Sequence, residues 1–206
     1  VRKDAFEYLN RFIDVSHETF ERLFLYHELL HKWQPKINLV GPDTLKDAWS
    51  RHFLDSLQLL KLIPDLSTKM ADLGSGAGFP GMALAIVGAT DMHLVESDTR
   101  KISFLREVAR VTSTKVEIHH CRIENCPVEK VDIIVSRACS DLDTLLSFSD
   151  RYVSHETICL FHKGKNYSKD IVDANIHWLF DYDVVPSVTD TQGVILKLAH
   201  FRKRGV

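Results

Sequence analysis

The chain has 206 residues, 45% of them hydrophobic and 26% charged, which fits one large α/β domain or one domain with an added helical piece. Its formal charge of −2, from 26 basic and 28 acidic residues, excludes a uniformly basic nucleic-acid binder and leaves room for a local basic patch. No apolar run has the length of a membrane span, the opening VRKDAFEYLN has no secretory apolar core, and four cysteines make no disulfide scaffold, so a cytoplasmic chain without membrane attachment is expected.

The first third reads as helices. Asp4 to Ile13 is one candidate. Ser16 is placed to cap a second, whose Phe20, Leu23, Phe24, Leu30 and Trp33 recur at helical spacing and which Pro35 ends. After the turn signal Gly41-Pro42, Asp43 is placed to cap a third helix from Thr44 to Ile63, closed by Pro64.

From Lys69 the rhythm changes. KMADL, MHLVE, VEIHH, VDIIVS and TICLFH are short strand candidates, and PGMALAIVG, TRKISFLREVARVT and DLDTLLSFSD are helix candidates between them. Such alternation implies a parallel sheet covered on both faces. A further helix is expected from Tyr167 to Phe180, then two extended runs, YDVVPSV and GVILKLAHF, joined by TDTQG as an antiparallel hairpin. Seven strands ending in a hairpin resemble, by fold analogy, the architecture shared by most S-adenosylmethionine-dependent methyltransferases, so the expected fold is α/β: a seven-stranded Rossmann-like class I methyltransferase sheet, residues 67–206, with an N-terminal helical extension, residues 1–66.

The stretch ADLGSGAGFPG, residues 71–81, follows the first strand, at the edge where open parallel sheets bind ligands. A P-loop needs Lys-Ser or Lys-Thr after its last glycine, and Phe79-Pro80-Gly81 stands there instead. Gly76, Gly78 and Gly81 fit G-x-G-x-x-G, but Gly74 already occupies the place directly after the strand, so the dinucleotide fingerprint is out of register. S-adenosylmethionine carries an ammonium and no phosphate. Asp72 at the strand end suits that ammonium, directly or through water, and Glu96 at the end of the second strand suits ribose hydroxyls. Nicotinamide enzymes want the same second acid, so Glu96 alone does not discriminate.

Four motifs in order, HKWQPKINLV, RHFLDSLQLL, ADLGSGAGFPG and VSRA, resemble the ribosomal RNA small-subunit methyltransferase G family, also called glucose-inhibited division protein B. The most specific parts are Trp33, Asn38 and Leu39, then Arg51, His52, Asp55 and Ser56. The resemblance implies methyl transfer from S-adenosylmethionine to N7 of a guanosine in the 530 loop of 16S ribosomal RNA. The substrate is then 16S ribosomal RNA or a small ribosomal subunit precursor, and the enzyme acts as a monomer. It implies cofactor contacts at Gly74 and Phe79 (with Gly76 in the same loop), at Ile123 and Glu124 after the third strand, and at Arg137 after the fourth. Val40, where many members have Thr, departs modestly from the pattern.

The chemistry can be read beside the resemblance. Methyl transfer from a sulfonium is an in-line displacement, so alignment carries much of the barrier reduction. Guanine N7 offers a lone pair with no proton to remove, so no general base is expected. Arg137 is assigned the catalytic role of fixing cofactor and base; a strand-end arginine paired with an acid is the alternative. No Asn/Asp-Pro-Pro-Tyr/Phe follows the fourth strand, and Cys126-Pro127 reverses the Pro-Cys pair of pyrimidine enzymes, which leaves Cys139 as a nucleophile candidate against a buried small residue. His119, His120, Cys121 and Cys126 do not read as a zinc site, because adjacent histidines on a strand face opposite ways, and no metal is expected. Arg51, His52, Lys163 and Lys165 are the candidates for RNA phosphate, with an internal Arg51–Asp55 pair as the competing reading.

Overall fold

The structure, a computed structural model, describes residues 2–137 and 140–205. Cys139 therefore lies outside the described residues. Two helices open the chain, α1 (Arg2–Asn10) and α2 (His17–Trp33). Ser16 caps α2 through its side chain, which accepts from the Thr19 N–H. The expected single helix from Thr44 to Ile63 is instead a series of short turns: α3 (Pro42–Leu45), a π-helical turn Trp49–Leu54, α4 (Asp55–Leu57) and a 3₁₀ turn Gln58–Lys61. Within the π-turn two carbonyls are taken by side chains, Arg51 O by Arg137 and His52 O by Ser56 Oγ at 2.6 Å.

The sheet has seven strands in the order β3-β2-β1-β4-β5-β7-β6. They are β1 (Lys69–Leu73), β2 (Asp91–Glu96), β3 (Glu117–His120), β4 (Val131–Arg137), β5 (Val153–Lys163), β6 (Trp178–Pro186) and β7 (Val194–Lys203). The first five are parallel, and β7 runs antiparallel to both β5 and β6. Four helices connect them: α5 (Gly81–Val87), α6 (Thr99–Val111), α7 (Leu142–Ser149) and α8 (Tyr167–Ala174). The last ends earlier than its pattern suggests, because Trp178, Leu179 and Asp181 pair with β7 and extend β6 backwards.

Alternation along the strands sorts the core into two layers. Ile133 and Val135 of β4 join Met70, Leu94, α5, α6 and the N-terminal helices on one face; Ile134 joins Ala71, Leu73, Val95, α7 and α8 on the other. Phe20, Leu23 and Tyr26 of α2 belong to the same buried cluster as the first-face residues of β1 and β2, so the N-terminal helices and the sheet share one core. No described helix is long and apolar enough to cross a membrane.

Candidate active site

Strand order reverses between β1 and β4, and a cavity of about 640 Å³ opens at the C-terminal ends of the neighbouring strands. Its volume is within the range of small-molecule sites. The wall includes Gly74, Ser75, Gly76 and Phe79 after β1, Glu96 at the end of β2, Arg137 at the end of β4, and His162 and Lys163 at the end of β5. Arg51, His52 and Asp55 close it from the helical side, and Ser187 and Asp190 from the β6–β7 turn.

The glycine loop is built from backbone bonds. Gly74 and Ser75 donate to Val95 O at 3.0 Å, and Tyr26 Oη donates to Ala77 O. Glu96 accepts from Gly76 N through Oε2 at 2.9 Å and from Ser97 N and Asp98 N through Oε1 at 2.7 and 2.8 Å. Its carboxylate thus ties the loop to the start of α6 and stays at the cavity wall, 9% exposed. Two positions require glycine sterically. A Cβ on Gly81 would lie 2.6 Å from Leu94 Cδ2 and 2.7 Å from Asp72 Cβ, and one on Gly78, at φ +93°, would lie 2.7 Å from Tyr26 Oη.

Asp72 is fully buried behind this loop, outside the cavity wall, and Oδ2 accepts from Gly81 N at 2.9 Å. Its Oδ1 is one of the described buried atoms without a partner. Burial pushes its carboxyl up to about 7, against the lowering effects of the Gly81 N–H and Arg137. Because the folded value lies above the unfolded one, the stabilisation from protonated Asp72 is complete below about pH 4 and is lost as pH rises through 7. Asp72→Asn keeps an acceptor for Gly81 N–H and removes the titration. The variant should therefore gain stability relative to the parent as pH rises from 4 to 8, read as the difference in Tm across that window.

Arg137 is the most constrained group. Nη1 donates to Arg51 O at 3.0 Å and to Asp55 Oδ2 at 3.2 Å, Nη2 lies 3.0 Å from His52 Nδ1, and the guanidinium sits 5.1 Å from the Phe79 ring centroid. A guanidinium only donates, so His52 Nδ1 accepts and Nε2 carries the proton. That N–H meets Thr44 Oγ1 at 2.9 Å, and Thr44 donates onward to Gly41 O at 2.7 Å. The chain of bonds leaves Arg137 two unspent donors, Nε–H and one Nη2–H.

His52, expected at RNA phosphate, is instead 7% exposed, and burial, with Arg137 second, pulls its pKa down to about 3. A neutral imidazole does not attract phosphate; it positions Arg137. The competing reading, an Arg51–Asp55 pair, gives way to two long-range pairs: Arg51 meets Asp190 at 3.4 Å, and Asp55 meets Arg137. Asp55 Oδ1 also accepts from Thr189 Oγ1 at 2.6 Å and Gln58 Nε2 at 2.9 Å. Lys163, also expected at phosphate, donates to Ser140 O at 2.9 Å and pairs with Asp170 at 2.5 Å, whereas Lys165 is exposed. Ile123 and Glu124 form a 3₁₀ turn after β3, their carbonyls accepting from Tyr152 Oη and Arg151, and neither lines the cavity. Sequence reasoning passed over Lys101 and Asp190, both in the cavity wall. Asp190 stood in the TDTQG turn signal, but nothing local indicated that the turn reaches the cavity.

The donor set suits S-adenosylmethionine. Glycine backbone lines one side, an acid with free acceptor capacity stands at the β2 end, and a partnerless carboxylate oxygen lies behind the loop. Comparison with known proteins agrees. Residues 19–198 match the family described as rRNA small subunit methyltransferase G. A protein of Paramagnetospirillum magneticum named ribosomal RNA small subunit methyltransferase G is 50% identical over 184 residues, covering 89% of this chain and 90% of that one. One of the same name from Rhodospirillum centenum is 45% identical over 192 residues, covering 93% and 89%. Among solved structures, magnesium protoporphyrin IX methyltransferase from Synechocystis, with bound SAM, superposes with a TM-score of 0.62 at 12% identity over 91% of this chain and 98% of that one, which shows the fold.

Proposed function

From the premise that the chain belongs to the rRNA small subunit methyltransferase G family, we propose how its cavity performs the reaction. The enzyme uses S-adenosylmethionine to methylate N7 of a guanosine in 16S ribosomal RNA. The position in the 530 loop follows from the family.

The bound sulfonium supplies an electrophilic methyl group. Gly74 and Gly76 would give the cofactor backbone close approach on one side, Phe79 would give it an apolar surface, and Glu96 would accept from its ribose hydroxyls. Asp72 acts from behind the loop by holding Gly81. Ile123 and Glu124, the adenine contacts that the family resemblance implies, stand outside the cavity wall. Arg137 uses its two remaining donors to hold the guanine, with O6 the natural acceptor. No side chain needs to remove a proton, and the transfer needs no metal. The helices of residues 1–66 serve as the cover of the catalytic unit of residues 67–206, and the enzyme works as a cytoplasmic monomer. The observation that carries this reading is Arg137, held by three acceptors in the wall that the glycine loop and Glu96 share.

The test is incubation with labelled S-adenosylmethionine and either naked 16S RNA or small subunits from cells lacking this gene, followed by mapping of N7-methylguanosine. One new N7-methylguanosine in the 530 loop is expected. Label elsewhere, or none on either substrate, overturns the proposal.

Exposed Arg51 and Lys165 remain the phosphate candidates at the rim. Lys165→Ala should weaken RNA binding uniformly and reduce the slope of log K against log salt by about 1. Lys163→Ala should leave that slope unchanged, because its ammonium is already paired with Asp170. Binding measured at four salt concentrations checks both.

A further inference from the structure

Away from the cavity, the sheet edge carries a second cluster. His93 of β2 stands opposite Glu117 of β3, and Val95 opposite His119, so the parallel register brings His93, Glu117 and His119 together. His93 Nδ1 lies 3.0 Å from His119 Nε2 and 3.3 Å from Glu117 Oε2, and His119 Nε2 lies 3.8 Å from the same oxygen. Ligands at 2.0–2.1 Å in a tetrahedron stand about 3.3 Å apart, so the three edges already match one face of a zinc coordination shell. Without a cation, three acceptor-capable atoms converge with few protons to share.

A second observation agrees. His93 is 6% exposed, and its other nitrogen, Nε2, has no hydrogen bond; it lies 3.2 Å from Asp91 Oδ1. A carboxylate behind the distal nitrogen is the arrangement that orients a metal-bound histidine. Glu117 is exposed, which leaves the fourth position open to water. Lys69, near His119, is the one nearby cation that opposes binding among the groups acting on that histidine.

We propose that His93, Glu117 and His119 form a binding site for a Zn²⁺-class divalent cation, with Asp91 as the outer partner of His93. The site ties the edge strand β3, which leads to Ile123 and Glu124, to β2, which carries Glu96. It is separate from the methyl-transfer cavity, whose wall contains none of these residues.

The test is titration of the full chain with Zn²⁺ by calorimetry, and with Co²⁺ by visible absorption. One equivalent should bind, with a tetrahedral Co²⁺ spectrum lacking thiolate charge transfer, and Zn²⁺ should raise Tm in proportion to log concentration once saturating. Asp91→Asn should weaken binding about tenfold, and Glu117→Gln and His119→Gln should weaken it further. The last two replace side chains at the sheet edge, so they test the site even if buried His93→Ala does not fold. His31→Ala, which removes the His27–His31 pair on α2, and Cys121→Ser should leave binding unchanged. Absence of one-site binding, or loss that follows His31 or Cys121 instead, overturns the proposal.

Discussion

Arg137→Ala should lower the methyl-transfer rate by at least about 100-fold, the cost of a reacting base misplaced by an ångström. The substitution removes the two donors assigned to the guanine and leaves Asp55 without its cation. Asp55 is 14% exposed in its side chain, so breaking the pair should cost about 2–3 kcal/mol, below the figure for a fully buried pair. Arg137→Lys separates the two effects. An ammonium can face Asp55 and recover stability, but it cannot reach Arg51 O, Asp55 and His52 together and still present a planar fork to a base. Stability should return and activity should not. His52 provides an independent reading: without Arg137 its pKa should move up from about 3, because Asp55 then acts on it without the opposing guanidinium. An active Arg137→Lys enzyme, or an unmoved His52 titration in Arg137→Ala, would contradict this account.

Gly81→Ala should strongly destabilise the protein. The added carbon meets Leu94 and Asp72 within 2.7 Å, and both belong to packed strands rather than to flexible ends. Overpacking of this kind costs about 1–3 kcal/mol, with the upper end expected here because the Asp72–Gly81 bond is displaced too. Gly78→Ala should be comparable, combining a left-handed φ with contacts at 2.7–2.9 Å to Tyr26, Met82 and Leu105. Gly164→Ala, with open space around it, should change stability by less than about 0.5 kcal/mol. Urea denaturation at constant m-value checks the series. Equal losses at Gly81 and Gly164 would show that crowding in the loop is not the cause.

The strands were the most legible part of the sequence. Their apolar alternation and the helices between them follow from local periodicity, and so do the Ser16 cap and the final hairpin. Residues 42–61 were less legible. Their apolar spacing fits a helix, yet the wide turn at Trp49–Leu54 is held by Arg137 and Ser56, and Arg137 is 86 positions from Arg51. The site shows the same division. Glu96 on a strand end and the glycines of the loop after β1 could be read from position, Phe79 and Arg137 came through the family resemblance, and Gly74, Gly76, Phe79, Glu96 and Arg137 share the cavity wall. The charge state of His52, the pairing of Lys163 with Asp170 and the seclusion of Asp72 depend on burial and on distant partners, which spacing does not encode.

The turn between β6 and β7 forms one wall of the cavity. Its bonds to the helical side run from Thr189 to Asp55 across 134 positions, from Val188 to Gln58 across 130 and from Asp190 to Arg51 across 139. Closure of such loops is entropically costly and comes after local pairing. During vectorial synthesis the glycine loop and the first parallel strands emerge long before this turn does. The brace on Asp55, and through it on Arg137, therefore requires the C-terminal hairpin. The geometry at Arg137 thus depends on a turn that follows it in the chain and is docked on residues that precede it.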